Sequence, residues 1–362
     1  MTDSAPTSRL LSLDALRGAD ILIIAGLDTL VYRITPLFPH SGVMQGLRAQ
    51  MGHVAWDGLT VYDMVFPLFV FLSGVSLCLS QHRRAGQSAW RQLGHLWWRA
   101  ALLVFLGWAV NGAVSFELHS MRFASVLGLI GLSGAAAGTI ALLWGKRAWC
   151  CTLTAALLLL GIGTAQQLGG DFTPQGCLNA RIDALLCPGR LHLSSLDPEG
   201  PLCIVSATAL CLCGYAAGSV LLHPRLRTRL ALLLGAAALC LGFSLPLPCI
   251  KNIWTSGFTL TAAGAGFTLL AIFHLLTDTL PPATRVFALW AMPLRVAGSN
   301  ALFLYLFSHL FNLQALAERL SCGLWSALLP AAALPAAYAG TALLLAFLPA
   351  LWLYRRRIFL HL

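Results

Sequence analysis

Charged side chains are scarce in this sequence. Aspartate, glutamate, lysine and arginine make up 10% of its 362 residues, whereas hydrophobic residues make up 58%. A soluble domain carries roughly 25% charged residues. The composition therefore excludes a soluble globular fold. It predicts an all-α polytopic membrane protein, with residues 1–362 in a single transmembrane domain.

Acidic residues are the scarcer of the two charge types. The chain has 13 Asp and Glu against 23 Lys and Arg, for a net charge of +10. A basic balance also suits nucleic-acid binding, but these basic residues cluster in short segments at the ends of apolar runs. That placement is typical of cytoplasmic loops in membrane proteins. The predicted partner is therefore the lipid bilayer and not a nucleic acid.

Two further signals are missing. Residues 1–9 lack the charged start and short apolar core of a cleaved signal, so the first apolar segment is predicted to stay as a membrane helix. The 11 cysteines show no zinc or iron–sulfur spacing, and no metal site is predicted. Most lie in apolar segments, but Cys177 and Cys187 lie in a polar loop and could pair in an oxidising compartment.

Long apolar runs are abundant. A hydrocarbon core of roughly 30 Å needs about 20 apolar residues as a helix. By that rule the sequence predicts about ten spans, at 19–37, 63–81, 93–115, 122–143, 147–166, 202–221, 228–247, 257–276, 295–313 and 333–354.

When successive loops are placed on alternate sides of the membrane, the basic segments all fall on one side. The positive-inside rule then puts both termini in the cytoplasm. We expect a multi-pass protein of a bacterial inner membrane. The segments 38–62 and 167–201 become long periplasmic loops.

The polar stretch at 52–63, just before the second predicted span, concentrates costly side chains at a membrane boundary. Polar groups at bilayer depth usually line a cavity and have a task. We interpret His53 as a catalytic base or nucleophile. The alternative is an ordinary helix start, with Asp57 or Thr60 capping the free amides.

Asp28 is a candidate partner for that histidine. Asp20 and Asp28 fall on one face of the first predicted span, two turns apart. A carboxylate can hold one imidazole nitrogen protonated, so that the other is a free base. We therefore predict a catalytic pair of His53 and Asp28, if the loop 38–62 folds back over the end of that span.

Five motifs in order resemble one family. SLDALRG at 12–18 is similar to its Ser-x-Asp-x-x-Arg-Gly opening. HVAWDGLTVYDMVFP at 53–67 is similar to its His-x-x-Trp-x-Gly-x-Thr-x-x-Asp-x-x-Phe-Pro motif. DPEG at 197–200, KNIW at 251–254 and GSNALFLY at 298–305 follow. The chain resembles, over about 9–357, the heparan-alpha-glucosaminide N-acetyltransferase family and its bacterial homologues among the transmembrane acyltransferases.

The resemblance implies an acetyl-CoA-dependent N-acetyltransferase. Acetyl would pass from cytoplasmic acetyl-CoA to a glucosamine-type amino sugar on the outer face. His53 matches the family's catalytic histidine, and Asp28 matches a family asparagine. Gly128 and Leu129 stand where the family usually has Gln-Arg, and the chain carries extra length before His53. The resemblance also suggests a homodimer.

Two groups of binding residues are predicted. Guanidinium groups suit the phosphates of CoA, and short polar side chains suit its amides. The donor-binding candidates are Arg17, Asp63, Arg99, Arg295, Ser299 and Asn300. The acceptor-binding candidates are Trp56, Asp57, Glu199, Lys251, Asn252 and Trp254.

Each of these residues also has a structural interpretation. The arginines could only orient the helices, and Ser299 and Asn300 could join two of them. Asp197 could cap a helix that starts at Pro198, in which case Glu199 would serve its positive end. Two other functional classes stay open for the chain. One is an amino-sugar or solute transporter without acyl transfer, and the other is a non-catalytic assembly partner.

Overall fold

The computed structural model describes residues 10–84, 86–113, 121–279 and 285–360. Within them the chain is helical, and extended pairing is limited to isolated bridges. The end of the predicted span 93–115 and both chain ends lie outside these residues. The α-helices are α1 Leu11–Leu22, α2 Asp28–Ile34, α3 Gly42–Gln50, α4 Val61–Arg83, α5 Ala89–Trp108, α6 Val126–Leu143, α7 Ala148–Leu168, α8 Leu178–Leu186, α9 Pro201–Leu221, α10 Leu226–Ser244, α11 Ser256–Phe273, α12 Arg285–Ser299, α13 Ala301–Leu310, α14 Leu313–Leu328 and α15 Leu334–Arg355.

Eight helices of the described chain are long and apolar enough to cross a membrane. They confirm an all-helical polytopic membrane protein, and each coincides with a predicted span to within a few residues. They are Val61–Arg83, Ala89–Gly112, Val126–Leu143, Ala148–Leu168, Pro201–Leu221, Leu226–Ser244, Ser256–Thr279 and Ala331–Arg355.

The two remaining predicted spans, 19–37 and 295–313, are interrupted helices. Gly26 separates α1 from α2 with a φ of 134°. Only glycine adopts such a value readily. Asn300 separates α12 from α13, and α13 ends after only 10 residues, at Leu310. Broken helices span less apolar length than a continuous one, so the count of ten spans stays a prediction.

The chain divides into two compact units. The first unit comprises Met1–Phe38 and Leu269–His361, and the second unit comprises Pro39–Thr268. The segments predicted as outward loops contain helices of their own. α3 lies within 38–62, and α8 lies within 167–201.

In the second unit α9 is the central helix, and it packs against α4, α6 and α7. The backbones of α4 and α9 touch at glycines. A Cβ on Gly74 would meet the carbonyl of Cys211, and one on Gly214 would meet the carbonyl of Phe71. Small residues allow this approach between membrane helices. The approach fixes the first turns of α4 and α9 relative to each other.

In the first unit α1 packs tightly against α12. A Cβ on Gly298 would meet the carbonyl of Asp14. The carboxylate of Asp278 accepts from the backbone N–H of Leu11 at 2.9 Å and contacts His274 Nδ1 at 2.9 Å. His274 is buried. It is therefore a hydrogen-bonded core residue, as its position in an apolar run predicts.

Candidate active site

The loop before α4 is organised by a capping box. Thr60 is the N-cap, and its hydroxyl accepts from the backbone N–H of Asp63 at 3.3 Å. Asp63 Oδ2 accepts in return from the backbone N–H groups of Thr60 and Val54, both at 3.2 Å. The prediction of a Thr60 cap is confirmed, and the box directs the Asp63 carboxylate back towards the loop.

Asp63 meets His53 and Lys251 at one oxygen. His53 Nδ1 lies 2.7 Å from Asp63 Oδ1, and Lys251 Nζ lies 2.9 Å from the same atom. Lys251 Nζ also lies 2.8 Å from His53 Nδ1. The side chains of Asp63 and Lys251 are 2% and 19% exposed, whereas that of His53 is 56% exposed. The ion pair of Asp63 and Lys251 is thus largely buried, whereas the imidazole of His53 is open to its surroundings.

The Asp63 contact fits a proton on His53 Nδ1, whereas the Lys251 ammonium, which only donates, fits a lone pair there. When Nδ1 carries the proton it donates to Asp63, and Nε2 keeps its lone pair. The ammonium of Lys251 then donates to the carboxylate as well, which neutralises the charge of Asp63. The Tyr62 ring packs on the imidazole with centroids 4.7 Å apart. The arrangement provides a general base or nucleophile with an orienting carboxylate.

A short 3₁₀ turn, Lys251–Ile253, presents the lysine. It ends at Trp254, which has a φ of 47°. The Trp254 ring is 1% exposed and packs edge-on against Phe66 and Phe258. Burial lowers the pKa of Lys251, and its hydrogen bond to Asp63 opposes that shift. The lysine is therefore held as the partner of Asp63.

Three hydrogen bonds hold the loops around this site together. Gly58 N–H donates to the carbonyl of Cys249 at 3.0 Å, and Asp57 Oδ1 accepts from Cys249 N–H at 3.2 Å. Trp56 Nε1 donates to the carbonyl of Phe172 at 2.6 Å. Asp57 is thus not a helix cap but ties the His53 loop to the segment before Lys251.

A second charged cluster forms in the same unit around Arg122. Its guanidinium donates to both carboxylate oxygens of Asp197, with Nε–Oδ2 at 2.6 Å, and it pairs with Glu199. Asp197 also accepts from the backbone N–H of Glu199 at 3.0 Å. Because Asp197 is fully buried, its charge depends on this fork of hydrogen bonds.

The expected helix start at Asp197 is wrong. α9 begins at Pro201 with Gly200 as the N-cap. The proline at 201 takes the first helical position that was expected for Pro198. Asp197 and Glu199 therefore bind Arg122, and the acceptor contact predicted for Glu199 stays a prediction.

Asp183 lies behind this cluster. Its Oδ2 accepts from the Asp197 N–H at 2.9 Å, while its buried Oδ1 lacks a hydrogen-bond partner. Burial, helped by the charge of the Asp197 carboxylate, raises the pKa of Asp183 to about 6, and the hydrogen bond from the Asp197 N–H opposes the shift. Its ordinary value is about 3.9. The folded protein therefore holds this proton more tightly than the unfolded chain.

We predict that the free energy of unfolding falls as the pH rises from 4 to 7, because the folded protein then loses the proton of Asp183. Asp183 contributes stability below about pH 4, and the contribution is lost as the pH rises through about 6. Asp183→Asn should gain on the order of 2 kcal/mol over wild type across that range. Thermal unfolding in detergent at both pH values measures it. Asp171→Asn is the control. Asp171 is exposed, and hydrogen bonds from Thr173 lower its pKa, so it does not share the upward shift of Asp183. A pH-independent difference between Asp183→Asn and wild type would contradict the assignment.

The predicted donor-binding residues fall in both units. Arg99 and Asp63 lie in the second unit. Ser299 bonds its own helix, at the carbonyl of Val296, and Arg295 lies 3.4 Å from the Tyr354 hydroxyl. The remaining first-unit candidates are Arg17, on α1, and Asn300.

Asn300 binds the C-terminal segment. Its amide donates to the carbonyl of Ile358 at 3.2 Å and accepts from Leu360 N–H at 3.0 Å. The side chain thus joins the break between α12 and α13 to the segment that follows α15.

The predicted catalytic Asp28 also lies in the first unit. Its carboxylate accepts from the backbone N–H and the hydroxyl of Thr29, at 2.6 and 3.2 Å. The carboxylate that the structure places on His53 Nδ1 is Asp63, which the motif had assigned to donor binding. A catalytic role for Asp28 stays a prediction.

The predicted acceptor residues have different surroundings. Lys251 and Trp56 border the His53 loop, and Asn252 is partly buried beside Lys251. The Trp254 ring is core and offers no surface to a sugar. Cys177 and Cys187 are free thiols. The sequence pattern carries no signal for the roles of Arg122 and Lys251 as ion-pair partners, because Arg122 is 75 residues from Asp197 and Lys251 is 188 residues from Asp63.

The chain is similar to two curated proteins. Human heparan-alpha-glucosaminide N-acetyltransferase is 26% identical over 384 aligned positions, covering 85% of this chain and 54% of the relative. The mouse protein of that name is 25% identical over 328 positions, covering 70% and 48%. The chain spans about half the length of these curated relatives. No protein-family model matches it. The similarities confirm a family-level relationship.

Proposed function

We propose that this relative of the heparan-alpha-glucosaminide N-acetyltransferases transfers acetyl from acetyl-CoA to an amino sugar across the membrane. One observation carries the proposal. His53 holds a buried carboxylate on Nδ1 while its ring stays open to an incoming substrate. Both relatives are named as N-acetyltransferases of a glucosaminide, which supports acetyl as the transferred group and an amino sugar as the acceptor.

In the proposed reaction His53 Nε2 takes a proton from the acceptor amine as its nitrogen attacks the thioester carbonyl carbon. A C–N bond forms and the C–S bond breaks. CoA leaves as a thiolate and takes the proton from the imidazolium, which restores the neutral histidine. Asp63 stabilises the transient imidazolium through Nδ1. In the alternative route Nε2 itself carries the acetyl between the two substrates.

The distribution of charge supports donor entry from the far end of the second unit. Arg83, Arg84, Lys146 and Arg147 lie at the ends of α4, α6 and α7 away from His53. CoA is a polyanion and suits that basic end. α4 has 23 residues. At about 1.5 Å per residue this helix is about 35 Å long, so the proposal needs an acetyl path of about that length.

We expect Asp63→Asn to slow acetyl transfer about 100-fold. Asparagine keeps the size of the side chain but lets the amide donate to Nδ1, which selects the wrong tautomer and leaves the imidazolium unsupported. The measurement is transfer of labelled acetyl from acetyl-CoA to glucosamine by purified protein in detergent or proteoliposomes.

Asp171→Asn is the matched control for that charge change. Asp171 is a loop carboxylate that accepts from Thr173 N–H at 2.9 Å, a bond that asparagine keeps. It should retain the wild-type rate. Wild-type protein that transfers no acetyl to any amino sugar would overturn the function. An active Asp63→Asn variant would overturn only the role of the carboxylate.

Amino-sugar transport is the second candidate. The breaks at Gly26 and at Asn300 favour it, since interrupted helices are typical of transporter binding sites. Proteoliposomes that accumulate unmodified glucosamine without acetyl-CoA would favour transport over transfer.

A further inference from the structure

The reaction proposed above uses His53 and Asp63 and gives Lys251 no step. The ammonium nevertheless contacts both groups, since Lys251 Nζ lies 2.9 Å from Asp63 Oδ1 and 2.8 Å from His53 Nδ1. His53 Nδ1 lies 2.7 Å from the same carboxylate oxygen. The three atoms thus form a closed triangle, in which each group acts on the other two at hydrogen-bond distance.

The surrounding backbone fixes the position of the ammonium. Lys251 opens the 3₁₀ turn before α11, and that turn ends at the buried Trp254. The preceding segment is tied to the loop before α4, because Asp57 Oδ1 accepts from the Cys249 N–H at 3.2 Å. The Lys251 side chain is only 19% exposed, so most of it is closed to an acceptor sugar. It is placed to act on the imidazole.

The charges of this triangle sum to zero when the imidazole is neutral. The carboxylate of Asp63 alone would favour the imidazolium, because an opposite charge at this distance stabilises it. The ammonium of Lys251 opposes that effect, since it neutralises the carboxylate and repels a second positive charge. Both side chains are largely buried, so salt screens their charges little. A general base must be unprotonated before it reacts, so the lysine favours the reactive form of His53.

Other titratable groups surround the imidazole. Tyr62 of α4 packs its ring on the imidazole, and Asp57 accepts from a backbone N–H of the segment before the lysine. His192, in the loop before α9, interacts electrostatically with the imidazole and the lysine, and Arg122 is matched by two carboxylates. Among the described groups, Asp63 and the lysine are those that place a charged atom at hydrogen-bond distance from Nδ1. The balance of these two charges therefore dominates the protonation of the imidazole.

We propose that Lys251 is a positioning residue for the base, whose ammonium offsets the charge of Asp63 and keeps the imidazole of His53 unprotonated at neutral pH. The inference rests on the proposed function and deepens it. It gives Lys251 the control of the base in place of the acceptor contact that the sequence predicts. Without the ammonium, Asp63 would hold His53 as an imidazolium, which cannot take the proton of the acceptor amine.

Chemical labelling of His53 tests this proposal without any substrate. Diethyl pyrocarbonate reacts with the unprotonated imidazole, and mass spectrometry of the peptide that contains His53 gives the labelling rate at each pH. In Lys251→Met the pH of half-maximal labelling should rise by about one unit or more, the usual effect of an opposite charge at this distance. Lys251→Arg keeps the charge and should keep the wild-type midpoint.

The pH profile of acetyl transfer should move with the labelling. Below the midpoint, Lys251→Met should transfer acetyl about tenfold more slowly than wild type, because about a tenth as much of the base is unprotonated. At high pH the difference should shrink, and KM for glucosamine should stay at the wild-type value.

Two controls separate the local charge from a general disturbance. Lys146→Met removes the other lysine of the chain, which lies at the opposite end of α4 and donates to the carbonyl of Gln81 at 2.9 Å. It should leave the labelling midpoint of His53 unchanged. His82, in the last turn of α4, is labelled in the same samples, and its midpoint should be equal in wild type and Lys251→Met.

Lys251→Met leaves a buried carboxylate without its ion-pair partner, so the same comparison is also made in Asp63→Asn. That variant should lower the labelling midpoint of His53, and adding Lys251→Met to it should return the midpoint towards the wild-type value. A midpoint that does not move when Lys251 is removed in either background would overturn the proposal. So would an unmoved midpoint with a raised KM for glucosamine, since Lys251 would then bind the acceptor. A shifted midpoint in protein that transfers no acetyl would refute only the proposed transfer.

Discussion

His53→Ala should lower acetyl transfer by about 10³- to 10⁴-fold, the full contribution of a positioned base. In the proposed mechanism this side chain supplies the lone pair that takes the amine proton. Tyr62 packs against the ring. Lys251 is bound to Asp63. The rate of labelled acetyl transfer, at saturating acceptor, measures the loss.

The control for this variant is His82→Ala. His82 is an exposed histidine in the last turn of α4, at the end opposite His53. It should transfer acetyl at the wild-type rate. A His53→Ala variant that keeps most of its activity would remove the imidazole from the mechanism.

The same experiment separates the two chemical routes. If His53 carries the acetyl, wild-type protein given acetyl-CoA without acceptor should show one acetyl group on the peptide containing His53. That mass should disappear when glucosamine is added. Direct transfer forms no such species, so mass spectrometry distinguishes a covalent carrier from a base.

Arg122→Met should destabilise the protein by about 3–5 kcal/mol, the usual cost of leaving a buried ion without its partner. Asp197 is 0% exposed, and the guanidinium is the charged group bound to it. In thermal unfolding in detergent the midpoint should fall by roughly 10 °C.

Two further variants identify the cause. Arg122→Met with Asp197→Asn should recover much of the loss, because the uncompensated charge is gone. Arg227→Met removes an exposed arginine of α10 and should change stability by less than about 0.5 kcal/mol. An additive double variant would show that Arg122 acts by packing and not by charge.

The membrane architecture was readable from composition because lipid imposes a local rule. Every span must satisfy its own backbone hydrogen bonds and present about 20 apolar residues, so the signal is contained in each segment. Eight spans follow that rule. The rule fails at Gly26 and Asn300, where a helix breaks inside an apolar run and hydropathy does not register the break.

The candidate site divides in the same way. His53 stands out along the chain because polar groups are costly there, and its motif identifies it without any fold. Its partner does not stand out. The sequence favoured Asp28 as the partner and Asp63 as a donor-binding residue, whereas the capping box at Thr60 directs Asp63 to the imidazole.

Local chemistry thus determined eight of the spans, the family resemblance and the candidate histidine, since each depends on neighbouring residues. Tertiary packing alone decided the ion pairs. Lys251 is 188 residues from Asp63, and Arg122 is 75 residues from Asp197. Attraction between such groups depends on their separation in space, and the close approach of α4 and α9 through their glycines, with the loop cross-links, brings the segments that carry them together.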